Sequence, residues 1–114
     1  MANNIPFQAM GKTYHVTASN ATVTNITVTA DSPSNQYRIG NHSNQDAYVW
    51  ISPSANPVNV AIPINGTPGY AYMIPKASVQ IITGPQCSNN KSVQVSVMSE
   101  KDGPEVYVTP GEGL

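Results

Sequence analysis

The sequence predicts an all-β fold: a single antiparallel β-sandwich, jelly-roll or immunoglobulin-like, with an extended N-terminal arm. Three observations predict it. Segments of alternating apolar and polar residues, rich in Val, Ile, Thr and Tyr, recur between clusters of Gly, Pro, Asn and Ser. No window supports a ten-residue amphipathic helix, because Gly, Pro, Asn or β-branched residues interrupt each one. At 114 residues the chain is long enough for one sandwich core without disulfide staples.

The richest stretch is Gln36–Ser52. Tyr37 and Ile39 alternate with Arg38 and Gly40, a polar run follows from Asn41 to Asp46, and Ala47, Val49 and Ile51 then alternate with Tyr48 and Trp50. The pattern predicts a β-hairpin that holds the single Trp, and therefore a large share of the buriable area.

The other elements are taken in chain order. Residues 1–11 form the arm, with Phe7 between Pro6 and Gly11; docking on a neighbour and packing on the chain's own body are equally compatible with it. The domain proper spans residues 12–110. Lys12–Ser19 is a strand with Tyr14, Val16 and Ala18 on one face. Ala21–Ala30 is a second, whose alternation shifts between Val23 and Ile26, as a β-bulge near Asn25 would require. Asn56–Ile64 carries Val58, Val60 and Ile62 on one face, but Pro57 and Pro63 restrict it to a short edge strand or an extended connection. Tyr70–Ile74 is apolar on both faces, and Ala77–Thr83 carries Val79 and Ile81 on one face. Ser92–Met98 has the cleanest alternation, Val93, Val95 and Val97. Pro104–Thr109 is the last strand, with Val106 and Val108 inward and Glu105 and Tyr107 outward. Residues 111–114 read as a mobile tail.

Composition narrows the function. Only 10% of residues are charged and the formal net charge is −1, which leaves no electrostatic footprint for nucleic acid or an anionic membrane. The longest apolar runs are far short of a membrane span. Weak charge also lowers repulsion between molecules, which suits a component of an assembly. Cys87 is the single cysteine, so no intrachain disulfide or thiol zinc site is expected, and no cofactor. The start of the chain lacks the basic and apolar regions of a signal peptide, so folding in the cytoplasm is expected. The matches to the N-glycosylation pattern at Asn20, Asn25, Asn41, Asn65 and Asn90 follow from the abundance of Asn, Ser and Thr.

Groups for catalysis are few. Cys87 with His15 or His42 has the residue types of a nucleophile–base pair, but no flanking motif accompanies them. Asp102 and Glu105 flank Gly103-Pro104, a pattern that reads as a solvated turn before it reads as a calcium loop, since calcium wants six or more oxygens. The expectation is a non-enzymatic protein. Tyr48 and Trp50 lie on the face opposite Val49 and Ile51. Exposed, they would stack on a sugar ring or a partner's apolar surface, and Tyr70 and Tyr72 would extend that surface; buried, they would lie under a loop.

Three segments carry a family resemblance: Met1-Ala-Asn-Asn-Ile-Pro-Phe-Gln8, Gln36-Tyr-Arg-Ile-Gly-Asn41 and Val106-Tyr-Val-Thr-Pro-Gly-Glu-Gly113. With them the chain resembles small all-β virion proteins of tailed bacteriophages, of the capsid decoration or cement type. The resemblance implies a protein made in the bacterial cytoplasm that binds the outer surface of the capsid, has the major capsid protein as its partner, and forms a homo-oligomer, a trimer being one allowed order. It brings no active-site motif. The arm residues Ile5, Pro6 and Phe7 are then the expected capsid contacts. A carbohydrate-binding adhesion module and a neck or tail adaptor are the competing readings.

Overall fold

The computed structural model describes residues 7–20, 22–101 and 103–112. Among them there is no helix. The strands are β1 (Gln8–Ala9), β2 (Tyr14–Thr17), β3 (Thr24–Val28), β4 (Ser34–Asn41), β5 (Ala47–Pro53), β6 (Tyr72–Ile74), β7 (Ser78–Cys87), β8 (Val93–Ser99) and β9 (Glu105–Glu112). Every pairing is antiparallel, and the chain is a β-sandwich of two sheets. In sheet A the order is β2-β9-β4-β7, with the short β1 continuing the β2 edge along the end of β9; in sheet B it is β3-β8-β5-β6. From β2 to β9 the chain changes sheet at every step except β5 to β6, and the resulting strand order is that of a double-sheet jelly roll.

The core is made by period two. Val93, Val95 and Val97 of β8, Val49 of β5, Val106 and Val108 of β9, and Tyr37 and Ile39 of β4 are all fully buried between the sheets. Each such side chain contributes roughly 1.5–3 kcal/mol relative to exposure. Tyr14, Val16 and Ala18 turn inward, and His15 and Thr17 outward, as the alternation predicts.

Several expectations are corrected. Gln36–Ser52 is not a hairpin: β4 lies in sheet A between β9 and β7, and β5 lies in sheet B between β8 and β6. Both edges of each strand are taken, so the two cannot pair with each other. The polar run His42–Asp46 instead carries the chain across the sandwich, braced by Asn41. The Asn41 amide nitrogen donates to the carbonyls of Gln45 at 2.8 Å and Ile74 at 3.1 Å, tying the end of a sheet A strand to a sheet B strand. No bulge interrupts β3, whose register with β8 is continuous because Thr24 takes the inward position before Ile26 and Val28; the register shift falls in β4, between Ser34 and Gln36. Val79 and Ile81 do share a face, but it is the outer one, since Ile82 pairs with the inward Tyr37.

The segment after β5 is an extended connection that roofs part of the outer face of sheet B. The amides of Val58 and Val60 donate to Ser52 Oγ and Ser96 Oγ, each at 2.9 Å, and Val60 is buried beneath the segment. The Asn65-Gly66 reversal, with Gly66 at φ +82°, returns the chain so that Ala61 N donates to Tyr70 O at 3.1 Å. The described part of the N-terminal arm packs on its own body, Gln8 and Ala9 pairing with Glu112 and Gly111. The expected tail residues Gly111 and Glu112 therefore belong to the last strand.

Candidate binding surfaces

The extended connection covers only part of sheet B, where Met73 stays 52% exposed, and the outer face of sheet A is a further open surface. Register places His15 of β2, Tyr107 of β9, Gly40 of β4 and Val79 of β7 in one row across four strands. The His15 ring stacks on Tyr107 at 4.8 Å between centroids, and His42 meets the same ring edge-on at 5.3 Å. Glu105 Oε1 contacts His15 Nε2 and accepts a bond from Thr17 Oγ1 at 3.2 Å. Gly40 offers no side chain and is itself buried, with Val79 and the His42 ring close by, while Val79, 46% exposed, and Tyr107, 39% exposed, face solvent on either side of it. Beside Val79 lies a hollow of about 480 Å³ lined by His42, Ser43, Asn44, Ala77 and Ser78.

The next row outward holds Thr109, Arg38 and Ile81, and beyond it stand Gly111, Gln36 and Thr83. A side chain at Gly111 would collide with Phe7 and with the Gln8 carbonyl, so Phe7 closes this end of the face. Gln36 Oε1 is buried there with no hydrogen-bond partner among the described residues. The face thus combines Phe, Tyr, Val, Ile, His, Arg and Glu. Such composition, with aromatic residues and Arg and without Lys, is that of protein interfaces.

A second surface lies where β6 and β7, the free edges of the two sheets, run along one side of the sandwich. Trp50 stacks on Tyr72 at 5.2 Å with 17° between ring planes, and Tyr70 tilts against it at 5.2 Å and 45°. These rings, with Asn56, Thr83 and Pro85, border an open cleft of about 480 Å³.

Of the residues singled out from sequence, Trp50 is half-buried at the back of this cleft, and Tyr70 and Tyr72 join it as anticipated. Tyr48 does not; it stands between Met73 and Met98 on sheet B. There, burial, and then the carboxylates of Glu100 and Asp46, push its phenol above the ordinary range. Phe7 is half-buried at the end of sheet A, while Ile5 and Pro6 lie outside the described residues. No family of known proteins, no curated protein and no solved structure matches the chain. The surfaces themselves therefore carry the functional argument.

Cys87 is fully buried, and burial pushes its thiol up, offset in part by a hydrogen bond with Tyr37. That is the opposite of what an activated thiolate needs. The His15 and His42 rings pack on Tyr107 at the outer face of sheet A, whereas Cys87 belongs to the core. Among the described residues no group of three His, Cys, Asp or Glu could hold a metal, and Asp102 of the calcium reading falls outside them. Sequence reasoning missed the sheet A row, because alternation marks His15 and Tyr107 as outward but leaves the direction of Val79 open and does not show that the three meet.

Proposed function

We propose that the protein is a non-enzymatic virion protein of a tailed bacteriophage that decorates the capsid, docking on the major capsid protein through the outer face of sheet A. The observation that carries this reading is the bare row His15–Tyr107–Gly40–Val79, continued by Arg38 and Ile81 to Phe7. Tyr107 and Val79 leave aromatic and aliphatic surface exposed on the outer face of sheet A, an arrangement that suits a flat partner. Phe7 stands at one end of the same face; Ile5 and Pro6, the other expected contacts, lie outside the described residues. The sparse charge allows close packing of many copies, and multivalency turns modest contacts into firm attachment. The family resemblance supplies the capsid as the partner, and the virion surface as the place where a chain folded in the bacterial cytoplasm would act.

The test is co-sedimentation of the purified protein with mature heads and with procapsids of the phage that encodes it. The reading expects saturable binding at many copies per head, favouring mature heads. Saturation at a dozen copies or fewer would point to a neck or tail adaptor, and no binding to either form would remove the reading.

A further inference from the structure

The aromatic cleft on the edge of the sandwich is not used by the docking just proposed, and four observations say what it would hold. First, its lining is uncharged, and no charged residue occurs between Ala47 and Pro75. An ionic ligand would lose its hydration there with nothing to replace it. Second, the rings present apolar faces: Tyr70 is 62% and Tyr72 is 40% exposed, and Trp50 fixes both from behind. Third, the hydroxyls of Tyr70, Tyr72 and Thr83 and the side-chain amide of Asn56 make no hydrogen bond within the described residues, so a purely apolar ligand would strand them. Fourth, the β7 wall of the cleft runs through Gly84 and Pro85, and Pro85 has no N–H to offer an added strand, which disfavours an extended peptide.

We infer that this cleft is a binding site for a neutral pyranose, as a mono- or disaccharide unit of a glycan. The C–H face of the sugar lies on Tyr72 and Tyr70, and its hydroxyls are met by Thr83, Asn56 and the tyrosine phenols. The ligand is neutral, carries an apolar face and bristles with hydroxyls, which matches each property of the lining. On a particle whose sheet A faces are turned to the capsid, the cleft at the sandwich edge stays open. The inference does not depend on that docking.

Trp50, the only tryptophan, reports directly on the site. The intact protein is titrated with a panel of neutral oligosaccharides built from glucose, galactose, mannose and N-acetylhexosamines, with sialylated glycans as the charged comparison, while Trp50 emission is followed. At least one neutral member gives a saturable change and the sialylated ones bind no better. Tyr72→Ala and Tyr70→Ala each weaken binding by about tenfold, with the melting temperature and head co-sedimentation unchanged. A panel with no saturable member overturns the inference, as does binding that survives the Tyr70→Ala/Tyr72→Ala double variant. If that double variant instead loses head binding or self-association, the cleft is a protein contact and the sugar assignment fails.

Discussion

The hydroxyl of Tyr37, in the middle of sheet A, donates to the carbonyl of Pro85 near the end of β7. The ring reaches that far because Gly84 has no side chain; a Cβ there would stand 3.2 Å from Tyr37 Cε1. The fully buried ring also meets the Cys87 thiol, so one side chain links the core to the strand that walls the cleft. Tyr37→Phe keeps the ring and removes the bond. We expect a loss of about 1–2 kcal/mol in urea unfolding with an unchanged m-value. An unchanged midpoint would mean that the bond contributes nothing net.

Asn41, buried where β4 leaves sheet A, donates to carbonyls on both sides of the crossing, and its oxygen accepts from Ser43 Oγ at 2.8 Å. Asn41→Asp preserves shape but replaces the N–H donors with a carboxylate facing two carbonyls. The expected cost is about 2–3 kcal/mol at neutral pH. Part of it should be regained in acid as the carboxyl protonates. Urea unfolding at neutral and acid pH checks both.

The alternation of β2, β8 and β9 was legible because one face of each strand meets the core and the other does not. Which strand pairs with which was not. Tyr37-Arg38-Ile39 and Val49-Trp50-Ile51 have the same pattern whether they pair with each other or with four different strands, and only the whole sandwich decides. Ile81-Ile82 shows the same limit: either isoleucine fits an inward position, and the pairing of Ile82 with Tyr37 selects one. The aromatic cleft was half legible. Trp50 and Tyr48 share an outward pattern, while Tyr70 and Tyr72 lie in a segment apolar on both faces, and only the fold of the connecting segment brings Tyr70 and Tyr72 to Trp50 and leaves Tyr48 out.

Stability should fall in alkali. Burial raises the phenol of Tyr37 far above its ordinary range, raises that of Tyr48, and raises the thiol of Cys87. In the unfolded chain these groups ionise near their usual values, about 8.5 for Cys and about 10 for Tyr. Above those values the unfolded state holds fewer protons than the native state, so the unfolding free energy decreases as pH rises. The urea midpoint should drop progressively from about pH 9 to pH 11. Cys87→Ala should remove the early part of the drop and Tyr37→Phe much of the later part. An alkaline limb identical in the double variant would contradict this assignment.

Gly111 and Phe7 test the docking of the arm. Gly111→Ala should displace Phe7 and Gln8, because its methyl group would occupy their space. The β1 pairing then opens while the jelly roll persists, seen as lost hydrogen-exchange protection at residues 8–9 with little change in the core. Phe7→Ala should release the same segment, so combining the two changes should add little further effect.

We propose that the bare face of sheet A, and not the aromatic cleft, meets the capsid. Co-sedimentation with mature heads tests it most directly when two variants are compared with the unaltered protein. Tyr107→Lys with Val79→Glu places charge in the middle of the exposed row without touching the core. Tyr70→Ala with Tyr72→Ala strips the cleft. The account predicts that the first variant, folded as judged by its unfolding midpoint, leaves the heads undecorated, whereas the second decorates them at the same copy number as the unaltered protein. Full decoration by the first variant, or its loss in the second alone, would contradict it.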